Sequence, residues 1–266
     1  MGPVRRQHPG ARLATVRSPT VRTTRLPCGD SLPVLGLGTW HMAEDVRRRD
    51  DELTALRLGL DLGLALVDTA EMYGDGDAET LVGEAIHGRR DDVFLVSKVL
   101  PSNAEADATV RACEGSLRRL GTDRLDLYLL HWLGPTPLEE TLDGFATLVD
   151  QGKIRHWGVS NFDRDDMDEL VGIAGREAVA TNQVLYNLSR RGIECDLLPW
   201  CQERGLPVMA YSPIEQGRLL GHPALRAAAS RHDATPAQVA LAWVLRHDGV
   251  VTVAKAGTPD HVRENC

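Results

Sequence analysis

Eight short apolar runs recur along the chain at intervals of about one βα unit, and each closes on polar residues or exposed backbone. At the front, PVLGLGTW closes on Gly38, Thr39 and Trp40. LALVDT then ends with Asp68, FLVSK in Lys98, LDLYLLH in His131 and IRHWGVSN in Ser160 and Asn161. AVATNQ ends in Gln183, LPVMAYS in Tyr211 and Ser212, and GVVTVAK in Lys255. A strand buried on both faces reads as continuous Val, Ile and Leu, so a polar group at its last position needs a reason. In an eight-stranded parallel barrel the reason is that the active site is built at the carboxyl ends of the strands. The pattern predicts an enzyme with its chemistry gathered at one mouth.

Helical periodicity alternates with these runs over roughly 50–63, 77–88, 105–120, 138–151, 163–174, 193–204 and 235–247, with a further start at 259. Two helices carry capping-box signatures, Thr136 with Glu139 and Thr235 with Gln238, each with Pro at the next position. VRTTRLPCGDSLPVLGLG reads as two short strands around Cys28, Gly29 and Asp30, a hairpin able to plug one end of the barrel. Together these predict an α/β fold, a (β/α)8 TIM barrel with an N-terminal β-hairpin, spanning residues 21–266. The competing doubly wound sheet would carry GxGxxG after its first strand, where this chain reads GLGTWH.

A length of 266 residues suits one such barrel, and 42% hydrophobic with 26% charged residues is ordinary for a globular chain. The net charge of -8 argues against a nucleic-acid partner, and no apolar run reaches the length of a membrane span. Five cysteines without a CxxC pair point to a reducing, cytoplasmic setting. No metal-ligand spacing is present, so no metal is expected. Residues 1–20 form an Arg-rich, acid-free leader interrupted by prolines, read as a disordered tail or non-native upstream sequence in preference to a transit peptide.

The candidate chemistry lies in Asp68 and Tyr73 of DTAEMYG, Lys98 of FLVSKV and His131 of LDLYLLHW. Taken singly, each has a bland explanation: a loop cap, a loop aromatic, a snorkelling lysine, a satisfied core histidine. In a barrel all four face one mouth, and Asp68 is the partner that a buried Lys98 requires. Such a set suits protonation of a carbonyl oxygen as hydride arrives at carbon. The ammonium is expected to lower the phenol's pKa, the carboxylate to hold the ammonium, and the histidine to orient the oxygen.

DTAEMYG, VFLVSKV, LYLLHW, GKIRHWGVSN, ATNQVLYN, MAYSP and AKAGTPDHVREN resemble the aldo-keto reductase family in order and spacing, from about residue 22 to the last residue. The likeness is strongest to the bacterial branch that reduces methylglyoxal and other small or aromatic aldehydes. The resemblance implies Tyr73 as general acid, Asp68 and Lys98 as its tuning pair and His131 as the orienting group. It implies NADPH as cofactor, with Ser160, Asn161 and Gln183 on the carboxamide and Tyr211 stacked on the nicotinamide. Gly38, Thr39, Trp40, Ser212, Pro213, Lys255, Ala256, His261, Glu264 and Asn265 complete the implied cofactor set, and Trp40, Met72 and Trp132 an apolar substrate pocket. The partner is then a small carbonyl compound; separately, a monomer is expected, with nothing in the residues that fixes the oligomeric state.

Two departures stand out. The family's phosphate segment reads Lys-Ser with a following Arg, whereas this chain reads Lys255, Ala256 and His261, so NADPH is expected with weaker discrimination against NADH. Relatives continue past REN, whereas this sequence stops at Cys266. The expectation is an eighth helix apparently truncated after about two turns, and a weakly folded, aggregation-prone barrel. Two other functions compete: a Schiff-base aldolase with Lys98 as nucleophile, and a binding module with a dead site.

Overall fold

Leu, Val and Ile dominate the apolar runs because the strands they form are covered on both faces. The structure, a computed structural model, describes residues 21–266, and the Arg-rich leader lies outside the described residues. Two strands, β1 (Thr23–Arg25) and β2 (Ser31–Pro33), pair antiparallel with Thr24 opposite Leu32. Eight more follow: β3 (Leu35–Gly38), β4 (Leu66–Asp68), β5 (Phe94–Val99), β6 (Leu125–Leu130), β7 (Ile154–Ser160), β8 (Val179–Leu185), β9 (Val208–Tyr211) and β10 (Val250–Lys255). They close in the order β10-β3-β4-β5-β6-β7-β8-β9 with parallel neighbours throughout, the barrel that the alternation predicts.

The helices are α1 (Arg49–Asp61), α2 (Asp77–Ile86), α3 (Ala106–Leu120), α4 (Leu138–Asp150), α5 (Arg164–Ala174), α6 (Leu197–Glu203), α7 (Pro223–Arg231), α8 (Pro236–Val244) and α9 (Pro259–Asn265). The sequence reading misses α7, which lies in the excursion between β9 and β10, packs on α8, and starts with Pro223 and a His222 cap on the Ala224 N–H. The helix expected over 193–204 divides into a 3-10 turn at Gly192–Glu194 and α6, because Asp196 caps the Leu197 N–H and restarts the helix there. The two-turn α9 begins at the Thr258 cap and packs against α1 and α8, with Val262 fully buried.

Two cores result. An outer one lies between barrel and helices and includes Leu56, Val82, Leu117, Phe145, Met167 and Val244. An inner one fills the barrel with Leu66, Val96, Leu127, Leu129, Met209 and Val253, and Leu26 and Leu32 of the hairpin join it. The hairpin is therefore a plug at the amino-terminal ends of the strands. A cleft of about 640 Å3 at that end, lined by residues such as Arg22, Val34, Leu206 and His247, contains none of the predicted site residues.

One local feature shapes the opposite mouth. The β7–β8 register shifts between Trp157 and Val159, and a Cβ on Gly158 would lie 2.5 Å from the Thr181 carbonyl oxygen. Only glycine allows this approach, and the bulge re-aims the strand end that bears Ser160.

The capping boxes divide. Thr235 accepts from the Gln238 N–H at 3.2 Å and Gln238 returns the contact at 2.9 Å. The box expected at Thr136 is absent: Pro137 occupies the N-cap and no side chain caps the helix, so Thr136 lies outside it. A box that the sequence reading missed joins Asp163 and Asp166 at the start of α5. Thr235→Ala should accordingly cost about 0.5–2 kcal/mol of stability. Thr136→Ala should stay within about 0.5 kcal/mol, and urea unfolding of the two variants checks the contrast.

Candidate active site

Asp68 is the last residue of β4, Lys98 the fifth of β5, and His131 follows the end of β6, so three adjacent strands deliver three chemical groups to one mouth. Tyr73 reaches the same place from the 3-10 turn after β4. All four are buried: Lys98 is 0% exposed, Asp68 3%, and Tyr73 and His131 7% each.

The Lys98 ammonium has three N–H donors and three partners. It donates to the Asp68 carboxylate at 2.9 Å, to the Thr69 carbonyl oxygen at 2.8 Å and to the Tyr73 hydroxyl oxygen at 3.0 Å. A neutral amine has one donor fewer and could not satisfy all three. Burial pulls the lysine's pKa down, but Asp68 and then Tyr73 outweigh that, and the net shift is upward. The lysine stays charged.

Because Tyr73 Oη accepts from Lys98, its own proton is left to point elsewhere. The expected lowering of its pKa does not occur. Burial raises the phenol above its ordinary value, and Lys98 offsets this only in part. The physical reason is that a phenolate here would lose more hydration than one ammonium, already shared with Asp68, restores. At neutral pH Tyr73 therefore carries its proton. Lys98 directs that proton and does not remove it.

His131 is neutral as well, its pKa pushed down to about 3 by burial first and the Lys98 charge second. Its ring meets Tyr73 edge to face with centroids 5.8 Å apart, and its buried Nδ1 has no partner among the described residues. Trp40 lies edge-on to Tyr73 at 4.8 Å and Trp132 lies 4.9 Å from His131, so the two indoles flank the acid and the imidazole. They are 36% and 39% exposed, a large apolar rim left open to solvent. Met72 is packed against Tyr73 and its neighbours.

The other half of the mouth is amide-rich. Ser160 donates to the Gln183 carbonyl oxygen at 2.8 Å, and Asn161 Nδ2 donates to the His131 carbonyl oxygen at 3.0 Å and to Ser160 Oγ at 3.1 Å. Tyr211 Oη donates to Asn161 Oδ1 at 2.9 Å. Gln183 Nε2 donates to Asp68 Oδ1 at 2.8 Å, which ties this amide set to the Asp68–Lys98 pair. Asn161 and Ser212 hold positive φ of 61° and 52° directly after their strands, and strain of this kind concentrates at functional mouths. Thr39 is buried and donates its hydroxyl to the Asp68 carbonyl oxygen at 3.0 Å, fixing that strand end from β3, which Gly38 terminates. Pro213 is buried beside Ser212.

Lys255, at the end of β10, is half-buried and has a partner that the sequence reading missed. The Arg48 guanidinium and the Lys255 ammonium both come within 3.2 Å of the point where a Cβ on Gly257 would stand. Burial, and then the Arg48 charge, hold the Lys255 ammonium below the usual lysine value, with Glu52 and Glu44 opposing. Arg48 also faces the buried Glu52 carboxylate at 3.9 Å, so two cations and one carboxylate frame the space over Gly257. Arg48 was legible in one respect: it sits in a run of three arginines at the N-terminus of α1, where the helix dipole disfavours cations. Ala256 is buried in the core, His261 is exposed on α9, and Glu264 and Asn265 are half-exposed at its end.

The sequence model of the Aldo/keto reductase family matches residues 34–266. The methylglyoxal reductase YeaE of Escherichia coli is 56% identical over 240 residues, which cover 88% of this chain and 84% of that protein. Among solved structures, an aldo/keto reductase from Klebsiella pneumoniae in complex with NADP and acetate superposes with a TM-score of 0.88 at 52% identity, covering 92% of this chain and 89% of that one. A thermostable aldo-keto reductase bound to the inhibitor epalrestat gives 0.87 at 42% identity, covering 92% and 93%.

Two outcomes follow from the buried titratable groups. Lys98→Met leaves Asp68 buried with its ammonium gone and should cost about 3–5 kcal/mol of stability. The double variant Lys98→Met, Asp68→Asn should recover part of that loss in urea unfolding. His131 is depressed in the folded state, so its contribution to stability is complete above about pH 6.5 and falls away as the pH drops toward about 3. His131→Asn should flatten that acid-side loss, measured as unfolding midpoints across a pH series.

Proposed function

The chain belongs to the aldo/keto reductase family, and from that premise we propose that it reduces small aldehydes and ketones to alcohols with NADPH, Tyr73 donating the proton. The observation that carries this reading is the saturated Lys98 ammonium, which leaves the Tyr73 proton as the one free to meet a carbonyl oxygen. NADPH, when bound, supplies hydride to the carbonyl carbon. On the opposite side of the reaction Tyr73 transfers its proton to the developing alkoxide, while Lys98 stabilises the phenolate left behind. Neutral His131 offers an N–H to the same oxygen and adds no charge that would compete with Lys98. Asp68 holds Lys98 in place and is itself held by Gln183.

Residues that would hold the cofactor fit its parts. Ser160, Asn161 and Gln183 match the donors and acceptors of a carboxamide, and Tyr211 offers a ring face at the end of β9. The two cations Arg48 and Lys255 beside Gly257 would suit a 2′-phosphate, Arg48 supplying a guanidinium that His261 cannot. This supports a preference for NADPH over NADH. Thr39, Trp40, Ser212 and Pro213 would flank the nicotinamide end, and His261, Glu264 and Asn265 the adenine end.

For the substrate, we favour 2-oxoaldehydes such as methylglyoxal together with aromatic aldehydes. The name of the 56%-identical Escherichia coli relative supports the first, and the Trp40–Met72–Trp132 rim supports the second by offering flat apolar contacts. We take the working unit to be a monomer, all four candidate catalytic residues lying on one chain, and five free thiols suit a cytoplasmic setting. Among the described residues no helix is long and apolar enough to cross a membrane.

Tyr73→Phe should keep NADPH binding, read by fluorescence, and lose roughly 10²–10⁴ in methylglyoxal turnover. A Phe variant with near-normal turnover rules out the proposed acid. Arg48→Met should weaken NADPH by about tenfold or more, the value of a charge-assisted hydrogen bond, and leave NADH binding unchanged. Equal effects on both cofactors place Arg48 away from the phosphate.

A further inference from the structure

The hairpin that plugs the far end of the barrel carries a second cluster of chemistry. Cys28 and Asp30 stand on its turn, and His156 is the third residue of β7, at the strand end remote from Ser160. His156 Nδ1 lies 3.8 Å from Cys28 Sγ, and its Nε2 lies 3.0 Å from Asp30 Oδ2. One ligating atom from each of the three residues lies within 4.8 Å of the other two. We propose that Cys28, His156 and Asp30 form a binding site for a divalent transition-metal ion, zinc above all, that fastens the hairpin to the barrel.

The donor set argues for zinc among such ions. A thiolate, an imidazole and a carboxylate are its three usual protein ligand types, with water able to complete a tetrahedron. Bond lengths of about 2.3 Å to sulfur and 2.0–2.1 Å to nitrogen place tetrahedral S and N ligands roughly 3.6 Å apart. The observed 3.8 Å is close to that separation. Asp30 Oδ2 sits at the other ring nitrogen, within 4.8 Å of the sulfur as well. Its carboxylate is 65% exposed, so it can leave that contact and turn to ligate the ion beside the sulfur. One thiolate and one carboxylate balance a dication.

The turn is built before the ion arrives. The Leu26 N–H donates to the Asp30 carbonyl oxygen, the Gly29 N–H to the Leu26 carbonyl oxygen and Arg25 Nη1 to the Gly29 carbonyl oxygen, each at 2.8 Å. Gly29 has φ of 96°, a conformation that suits glycine. A preformed loop reduces the ordering cost of ligation. The His156 side chain is 15% exposed, enough for an ion to enter, and Cys28 is exposed. His156 precedes Ser160 by four strand residues, roughly 13 Å at 3.3 Å each, so the ion would sit far from Tyr73 and act on the plug. Spacing along the chain could not reveal this cluster, since 126 residues separate Asp30 from His156.

The test uses the full reduced, metal-free chain with cobalt(II) and zinc(II) as probes. One equivalent of cobalt should give a thiolate-to-cobalt charge-transfer band and the visible bands of a four-coordinate ion, and zinc should displace it. Cys28→Ser should abolish the charge-transfer band, and His156→Gln should weaken zinc by at least about tenfold. A variant with the exposed Cys195 and Cys266 both changed to Ser should bind as the parent does. Zinc should raise the Tm of the parent chain but not that of Cys28→Ser. Persistence of the band in Cys28→Ser overturns the assignment, as does a parent chain that shows neither band nor zinc-dependent Tm.

Discussion

A charged amine with no exposure to solvent governs this molecule. Lys98 can remain ammonium inside the barrel only because Asp68, the Thr69 carbonyl and the Tyr73 hydroxyl each accept one of its protons. Remove any one and a buried donor is orphaned, which costs more than the hydrogen bond itself contributed. The rest of the mouth follows from this constraint. Asp68 must end β4, Lys98 must sit late in β5, and the chain must turn at once after Thr69 so that Tyr73 returns over the ammonium. The same saturation sets the direction of the Tyr73 proton.

The barrel makes this arrangement possible by separating stability from chemistry along one axis. Inner-core residues and the hairpin plug fill the amino-terminal and central layers, leaving the carboxyl ends free to hold polar groups. Positive φ at His41, Ala43, Asp75, Asn161 and Ser212 gathers in the loops that follow β3, β4, β7 and β9 at that end. The Gly158 bulge then couples β7 to β8 so that Ser160, Asn161 and Gln183 share one hydrogen-bonded set, which extends through Gln183 to Asp68.

Much of this was legible in the sequence for a physical reason: strands covered on both faces tolerate few polar residues, so Asp68, Lys98, His131, Ser160, Gln183 and Lys255 stood out against their apolar runs. Periodicity found the helices that follow strands and passed over α7, which belongs to an extra excursion before β10. The Thr136 motif had the right spacing, but a one-residue shift of the helix start left it without a role. Backbone acceptors such as the Thr69 carbonyl leave no trace in residue identity. Arg48 left only a faint one, a cation at the wrong end of a helix. The direction of the Tyr73 shift was misread because spacing shows which charge is near and not how much hydration is lost.

The central claim is that burial and a saturated Lys98 keep Tyr73 protonated at neutral pH, its proton directed by the lysine and not withdrawn by it. The most direct measurement is the 13Cζ chemical shift of Tyr73 in cofactor-free protein labelled at tyrosine, assigned with the Tyr73→Phe variant and followed through a pH titration. The account predicts a phenol shift that persists through neutral pH and begins to change only above the ordinary tyrosine value of about 10. A phenolate shift at neutral pH would contradict it.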